Sequence, residues 1–114
     1  MKILIVDDNK ELRAIFKLML KEFEIDEAEN GLKALELFNK NEYNLILMDI
    51  LMPEMDGIVA TKEILKLNPS IVILAVTAYF SRAEEILLAG AKEVLKKPIR
   101  KNDLIEKIHQ YSKS

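Results

Sequence analysis

The chain has 114 residues, which is enough for one compact domain with a core of its own. Half of its residues are hydrophobic, 32% are charged, and glycine and proline number only 3 each, which excludes a disordered or collagen-like chain. The 17 basic and 19 acidic residues give a formal net charge of -2. This balance provides no electrostatic reason to expect DNA, RNA or an anionic lipid surface as a partner.

The chain has no cysteine and a single histidine, His109. This composition excludes disulfides, thiolate zinc sites, a cysteine nucleophile and a histidine-rich metal site. The N-terminal sequence MKILIVDD lacks the long apolar stretch of a secretory signal, and the mainly apolar run from Ile71 to Phe80 is far shorter than the ~20 residues that span a bilayer. We therefore expect a soluble cytoplasmic protein whose chemistry depends on carboxylates, hydroxyls and amines.

The first half of the chain predicts three strands and two helices in alternation. Short apolar runs predict strands over residues 3–6, 25–28 and 45–48, the second of them weakly. We expect Asn9 to cap the first helix, because asparagine accepts hydrogen bonds from the first backbone N–H groups of a helix. Apolar residues at helical spacing mark one face of each helix: Leu12, Ile15, Phe16, Met19 and Leu20 in the first, and Leu32, Leu35 and Phe38 in the second.

The second half continues the alternation. A third helix begins near Ile58 and is expected to stop at Asn68-Pro69, before a strand over residues 71–76. Ser81 to Glu84 has the form of a capping box and predicts the start of a fourth helix that Gly90 ends. A short strand over residues 93–95 follows. The last helix carries Leu104, Ile105, Ile108 and Tyr111 on its apolar face.

Five strand–helix units in strict alternation predict an α/β fold. Such a chain forms a parallel sheet with helices on both faces and right-handed crossovers. The nearly continuous apolar runs favour strands that are buried on both sides. Because ligands in sheets of this kind bind beyond the carboxyl ends of the strands, the residues that follow each strand are the first candidates for function.

Charged and hydroxyl side chains follow four of the five predicted strands. Asp7 and Asp8 follow the first strand, Asp49 the third, Thr77 the fourth and Lys97 the fifth. One or two such residues would be ordinary strand-end polar groups, whereas five favour a site. Two carboxylates ~4 Å apart repel by about 4 kcal/mol at an effective dielectric near 20, and one lysine cannot offset three acids. Oxygen ligands alone favour a hard cation such as Mg²⁺, which also binds phosphate oxygens.

Four short motifs contain these residues. They are Ile5-Val-Asp-Asp8, Met48-Asp-Ile-Leu-Met-Pro53 with Met55-Asp-Gly57, Val76-Thr-Ala78, and Gly90-Ala91 followed by Lys97-Pro98. With them the chain resembles a CheY-type receiver domain of two-component response regulators over residues 2–111. The resemblance implies a doubly wound, flavodoxin-like (βα)5 fold of strand order 2-1-3-4-5 and a single receiver domain over residues 1–114. Some stretches resemble stand-alone sporulation-relay receivers, and others resemble receivers of hybrid sensor kinases.

The resemblance implies a role for each acidic residue. Asp49 matches the phospho-acceptor, whose carboxylate takes a phosphoryl group from phosphohistidine or a small phosphodonor. Asp8 matches a direct Mg²⁺ ligand beside Asp49, and Asp7 would act on the metal through water. The backbone carbonyl of Leu51 would be the third protein ligand, and Mn²⁺ is expected to substitute for Mg²⁺.

Thr77 and Lys97 are implied to contact the phosphoryl oxygens, and the Lys97-Pro98 peptide bond is expected to be cis. Many receivers carry an aromatic residue three positions before this lysine, where this chain has Val94. An aromatic rotamer switch is therefore excluded, and output would depend on Thr77 and the loop after it. Leu51 and Tyr79 flank the path of the hydrolytic water in the family. Since neither carries an amide or an acid, we expect a long-lived phosphoryl group.

The resemblance also implies a histidine kinase or a histidine phosphotransfer protein as the partner. Leu12, Pro98 and Ile99 are candidate docking residues, with ordinary packing as the alternative. We expect a phospho-acceptor switch rather than an enzyme, with no nucleic-acid or membrane partner. The chain would be a monomer or a weak dimer that forms on phosphorylation.

Three other functions remain open from the sequence. A phosphatase of the haloacid-dehalogenase kind needs a second acid two residues after its nucleophile, where this chain has Leu51. A flavin- or nucleotide-binding module needs a phosphate cradle after the first strand, where Asp7 and Asp8 would repel a phosphate in the absence of a metal. A receiver that has lost its chemistry is disfavoured by the three acids, although Val94 favours it weakly.

Overall fold

Five strands form one parallel sheet in the computed structural model, which describes residues 1–112. The strands are β1 (Lys2–Val6), β2 (Glu24–Ala28), β3 (Leu45–Met48), β4 (Val72–Thr77) and β5 (Glu93–Lys96). Their order in the sheet is β2-β1-β3-β4-β5, and each neighbouring pair is parallel. The predicted fold class and strand order are confirmed.

Five helices connect and cover the strands. They are α1 (Lys10–Met19), α2 (Gly31–Lys40), α3 (Gly57–Leu67), α4 (Ala83–Ala89) and α5 (Lys101–Ser112). Buried residues of α1 and α5 pack in one hydrophobic cluster, and those of α2, α3 and α4 pack in another, which places the two groups on opposite faces of the sheet. None of the helices within residues 1–112 combines the length and apolar character that crossing a membrane requires.

The three central strands supply both halves of the core. Ile3 and Ile5 of β1 belong to the cluster beneath α1 and α5, while Leu4 and Val6 belong to the cluster beneath α2, α3 and α4. All residues of β3 are buried. This double-sided burial explains why these strands read as continuous apolar runs. The edge strand β2 pairs with β1 alone and has the sequence EIDEA, which explains its weak signal.

The helix ends agree with most of the predicted caps. Asn9 accepts a hydrogen bond from the backbone N–H of Leu12 at 3.1 Å, and Asn30 caps α2 in the same way. Gly90 ends α4 with a φ of 121°, a conformation that glycine adopts at low cost. In the apolar stripe of α1, Phe16 and Leu20 are buried, whereas Ile15 is exposed beside a surface groove described below.

The predicted capping box at the start of α4 is wrong. Ser81 lies within a 3₁₀ turn over Phe80–Arg82, so it does not have the extended backbone that a capping residue needs. The helix begins at Ala83, and Arg82 stands at the cap position. Its guanidinium donates to the Glu85 side chain in the first turn, but it offers no acceptor to the first backbone N–H groups of the helix. The backbone N–H groups at the start of α4 are therefore not capped by a side chain.

The C-terminal helix is held to the sheet by an acidic residue of β5. The hydroxyl of Tyr111 donates to Glu93, and the Lys107 ammonium lies 2.9 Å from the other carboxylate oxygen of that residue. These two donors, the tyrosine first, lower the pKa of Glu93 below its ordinary value. The charged form of Glu93 is therefore favoured in the folded state, and it links α5 to the edge of the sheet.

We predict that Glu93→Gln lowers the free energy of unfolding at pH 7 by roughly 0.5–1 kcal/mol, because this partly exposed carboxylate loses charge-assisted bonds. Since the pKa of Glu93 is lower in the folded chain than in the unfolded chain, its contribution is present above the unfolded pKa and is lost as the pH falls through the folded pKa. Urea unfolding between neutral and acidic pH measures both effects. The control Glu24→Gln, at a largely exposed glutamate, should change little.

Candidate functional site

Three carboxylates meet at the carboxyl edge of the sheet. Asp7 and Asp8 follow β1, and Asp49 follows β3, its neighbour in the sheet. One carboxylate oxygen of each residue lies within 4.8 Å of those of the other two. Asp7 and Asp49 are buried, with 2% and 6% of their surface exposed, whereas Asp8 is exposed. The structure thus brings together the three acids that the sequence singled out.

Lys97 extends over this acidic cluster. Its ammonium nitrogen lies 2.6 Å from Oδ2 of Asp7 and 3.4 Å from Oδ2 of Asp49. The backbone N–H of Lys97 donates to the carbonyl oxygen of Thr77 at 2.9 Å, which fixes the lysine to the end of β4. The Lys97-Pro98 peptide bond is cis, as the resemblance implies. One ammonium therefore serves two buried carboxylates.

Thr77 ends β4 and is completely buried. Its Oγ1 accepts a hydrogen bond of 2.9 Å from the backbone N–H of Tyr79. Because the oxygen acts as the acceptor in this bond, the hydroxyl proton can be donated to another acceptor. The side chain is thus linked directly to the loop that leads into the 3₁₀ turn before α4.

Burial raises the pKa of Asp49 above its ordinary value. The Lys97 ammonium opposes this shift, the neighbouring Asp7 carboxylate adds to it, and the backbone N–H of Ile50, which donates to Oδ1 at 2.8 Å, opposes it. The charged form of Asp49 is therefore disfavoured by its surroundings. Lys97 alone does not compensate the negative charge of this edge.

The donor atoms of the cluster fit a hard divalent cation. All of them are carboxylate oxygens, the ligands that Mg²⁺ takes in proteins, and the described part of the chain brings no histidine or cysteine into the cluster. Two of the three carboxylates are buried, where unpaired negative charge is costly. A divalent cation would relieve that cost. Leu51, whose backbone carbonyl is the expected additional ligand, lies two residues after Asp49 in the loop that leads to α3.

Gly57, the first residue of α3, lies against the backbone of Asp49. A Cβ atom at position 57 would stand 1.8 Å from the Asp49 carbonyl oxygen, and the Gly57 N–H donates to the carbonyl of Ile50 at 2.8 Å. Only glycine permits this approach, because every other side chain would displace the backbone of Asp49. The motif Met55-Asp-Gly57 contains this glycine but does not by itself predict its contact with Asp49. The signal was the Asp56-Gly57 pair, in which Asp56 caps α3.

The other sequence-predicted residues lie in β5, in the loops after β3 and β4, and along a groove that Lys97 also lines. Val94 lies in β5, is partly buried and packs against the cluster beneath α2, α3 and α4. Leu51 and Tyr79 are both exposed, on the loops that follow β3 and β4. The three docking candidates, Leu12, Pro98 and Ile99, line one surface groove of about 410 Å³ together with Lys97. These three residues therefore lie together on a surface next to Lys97.

Comparison with known proteins gives one consistent family. The family model for the response regulator receiver domain matches residues 3–109. The chain belongs to the response regulator receiver domain family. Receiver domains are the signalling switches of two-component systems, and they work with histidine kinases or phosphotransfer partners. The acidic cluster of this chain is consistent with the phospho-acceptor site of such a domain.

Similar proteins include both short and long chains. The chain is 36% identical to chemotaxis protein CheY of Thermotoga maritima, with 98% of each protein covered. It is 38% identical to hybrid signal transduction histidine kinase B of Dictyostelium discoideum over 91% of this chain but only 6% of that protein. The solved structure of response regulator protein TrrA of Thermotoga maritima, in complex with Mg²⁺ and BeF, has a TM-score of 0.90 and 35% identity, covering 96% of this chain and 97% of the other.

We predict that Gly57→Ala destabilises the protein by roughly 2–3 kcal/mol, because the new methyl group overlaps the carbonyl oxygen of Asp49 and forces a backbone shift. Urea unfolding gives the free energy. Lys62→Ala, at an exposed position of the same helix, is the control and should have little effect. Equal stability of Gly57→Ala and wild type would contradict the close approach of α3 to Asp49.

We predict that Asp49→Asn raises the thermal unfolding midpoint in the presence of a chelator. The variant removes a charge that the folded state disfavours, yet it keeps an acceptor for the backbone N–H of Ile50. A gain on the order of 1 kcal/mol corresponds to a shift of about 4 °C in a domain of this size. The exposed acid Glu42, changed to Gln, is the control. A lower midpoint for Asp49→Asn would show that the Asp49 carboxylate is stabilising without metal.

Proposed function

We propose that Asp49 accepts the phosphoryl group in this receiver domain and that residues 1–114 act as one such domain. The observation that carries this assignment is the position of the Asp49 carboxylate, which is buried, within 3.4 Å of Lys97 and beside two further acids. Asp7 is also buried, but its Oδ2 lies 2.6 Å from Lys97 and its Oδ1 accepts from the backbone N–H of Asn9. Of the two buried acids, Asp49 is thus the one whose Oδ2 is held less tightly by Lys97.

The proposed reaction is a direct transfer from a phosphorylated histidine or a small phosphodonor. A carboxylate oxygen of Asp49 forms an O–P bond while the bond between phosphorus and the leaving atom of the donor breaks, which is an N–P bond in phosphohistidine or phosphoramidate. The electron pair of the broken bond returns to that leaving atom. The product is an acyl phosphate on Asp49. Transfer of this kind depends on positioning and on neutralising charge around the phosphorus atom, which is what this edge of the sheet can supply.

Asp8 and Asp7 serve the metal requirement of the reaction. Bound Mg²⁺ would neutralise the charge of the carboxylates and of the incoming phosphoryl oxygens. Asp8 would hold it directly together with Asp49 and the backbone carbonyl of Leu51, while Asp7 would act through water. The acidic donor set and the Mg²⁺ in the related TrrA structure support this assignment. We expect Mn²⁺ to substitute, because it shares the preference for oxygen ligands.

Thr77 and Lys97 would receive the phosphoryl oxygens once the group is on Asp49. Lys97 already lies over the acceptor, and the Thr77 hydroxyl proton can turn toward a new acceptor while its oxygen remains bound to the N–H of Tyr79. Movement of Thr77 would then pull on the loop before α4, whose start has no side-chain cap. This route gives the domain an output although Val94 excludes an aromatic switch.

The proposed partner is a histidine kinase or a histidine phosphotransfer protein. The groove formed by Leu12, Pro98 and Ile99 is also lined by Lys97, whose ammonium lies 3.4 Å from Asp49. These three residues are the proposed docking contacts. We propose that the chain acts as a monomer or as a weak dimer formed on phosphorylation, with no nucleic-acid partner and no turnover of a metabolite as an enzyme.

The test is the intact mass of the protein after incubation with phosphoramidate. We expect a single phosphoryl adduct that requires Mg²⁺, fails to form in a chelator and is absent in Asp49→Asn. Asp103→Asn, at an exposed acid of α5, controls for the loss of a carboxylate and should form the adduct normally. A folded wild-type protein without an adduct would contradict the proposed chemistry and favour a receiver that only binds partners.

We predict that the adduct decays slowly and that Leu51→Asn speeds its decay by roughly 10-fold. Leu51 and Tyr79 are exposed on the two loops that flank the acceptor, and neither carries a group that orients an attacking water. An amide at position 51 supplies such a group, and one hydrogen bond of about 1.4 kcal/mol that forms in the transition state corresponds to about 10-fold in rate. Loss of the adduct mass over time gives the rate. Leu67→Asn, at an exposed position far along α3, is the control.

A half-life of only seconds for the wild-type adduct without partners would contradict the protective role of Leu51 and Tyr79. An unchanged rate in Leu51→Asn would contradict the assignment of position 51 to the path of the water.

A further inference from the structure

Arg13 lies outside the acidic cluster, but its side chain binds the backbone of the loop after β1, which carries Asp7 and Asp8. Arg13, in the second turn of α1, donates from Nη1 to the backbone carbonyl oxygen of Asp7 at 2.6 Å. Its Nε donates to Oε1 of Glu27, in β2, at 3.0 Å. Only 13% of the Arg13 side chain is exposed. The guanidinium therefore joins α1, β2 and the loop after β1 at a partly buried point.

The carbonyl of Asp7 is the last of four polar groups that fix this residue. Its backbone N–H donates to the carbonyl of Ala28, its Oδ1 accepts from the N–H of Asn9, and its Oδ2 accepts from Lys97. With the carbonyl held by Arg13 as well, both carboxylate oxygens and both backbone groups of Asp7 have partners. The conformation of Asp7 is thus fixed by these bonds. Asp8 is exposed, so the orientation of its side chain depends on the backbone.

The peptide bond between Asp7 and Asp8 transmits this restraint. The carbonyl oxygen of Asp7 and the Cα of Asp8 belong to the same planar peptide unit. Holding the oxygen therefore fixes the rotation of the plane and, with it, the point from which the Asp8 side chain leaves the chain.

We propose that Arg13 is a positioning residue of the metal site, which directs Asp8 toward Asp49 by holding the carbonyl of Asp7. Glu27 orients Arg13 for this task, because the guanidinium binds the carboxylate through Nε and the carbonyl through Nη1 at the same time. This inference rests on the proposed function, in which Asp8 is a direct Mg²⁺ ligand. It adds a residue that touches neither metal nor phosphoryl group.

The positive charge of Arg13 allows a positioning role to be distinguished from a purely electrostatic effect on Mg²⁺ binding. A cation near a site for Mg²⁺ repels the metal, so loss of that cation would strengthen metal binding by Coulomb's law. Loss of a positioning contact has the opposite effect, and changes outside the ligand set typically weaken metal binding by about 10- to 100-fold. The sign of the change in affinity therefore distinguishes the two roles.

Lys17 provides a matched control on the same helix. Its ammonium lies 3.1 Å from Oε2 of Glu27, the other oxygen of the carboxylate that Arg13 binds. Replacing Lys17 removes one positive charge and one bond to Glu27, as replacing Arg13 does. The bond to the Asp7 carbonyl belongs to Arg13.

The experiment is a titration of the full chain with MgCl₂, followed by the amide NMR signals of residues 7–9. We expect Mg²⁺ affinity to fall about 10-fold in Arg13→Met. Lys17→Met should stay within about two-fold of wild type, since its lost charge is screened at the surface. Arg13→Lys keeps the charge but offers one ammonium in place of a two-sided fork, so its affinity should fall between the two. Unchanged or tighter binding in Arg13→Met overturns the inference.

Two further readouts keep the result decisive. If Arg13→Met does not fold, Arg13→Lys decides, and wild-type Mg²⁺ affinity in that variant overturns the inference. In the phosphoramidate reaction, Arg13→Lys should need more Mg²⁺ for half-maximal rate yet approach the wild-type rate at saturating Mg²⁺, which a general loss of stability would not produce. Wild-type protein that binds no Mg²⁺ would refute the proposed function too, whereas wild-type binding with unaffected Arg13 variants refutes this inference alone.

Discussion

Negative charge crowded at one edge of the sheet is the constraint on which the rest of this structure depends. Three carboxylates lie together there, two of them buried, and Lys97 is the ammonium that reaches both buried acids. Burial of such groups costs free energy unless charge and hydrogen bonds compensate it. In the proposed function, a divalent cation bound here would compensate this charge and would also contact the phosphoryl group.

The surrounding elements hold the acids in place without neutralising them. The parallel order puts β1 beside β3, so that the residues after these strands become neighbours. Gly57 lets α3 begin against the backbone of Asp49, and the Lys97 N–H is bound to the end of β4. Arg13 binds the backbone carbonyl oxygen of Asp7, in the loop after β1. Each of these contacts restricts a backbone segment, and none of them uses the carboxylate of Asp49, the proposed acceptor.

Much of this arrangement could be predicted from local sequence, and the failures have physical reasons. Central strands such as β3 are buried on both faces and form unbroken apolar runs, and the residue after such a strand lies at the ligand-binding edge. The edge strand β2 lacks an unbroken apolar run and was therefore predicted only weakly. Ser81 was predicted to cap α4, but it lies within a 3₁₀ turn, which a local capping pattern does not reveal. Arg13 was not identified, because its partners are a carbonyl group and a glutamate 14 residues away, which no local pattern reveals.

The most direct test of the account is to locate the phosphoryl group by chemical trapping. Borohydride reduces an acyl phosphate on aspartate to homoserine, and peptide sequencing by mass spectrometry then identifies the modified position. After Mg²⁺-dependent phosphorylation and reduction, we expect homoserine at position 49, with Asp7 and Asp8 recovered intact. Homoserine at position 7 or 8, or none at 49 in protein that carries the adduct, would contradict the central claim that Asp49 is the acceptor.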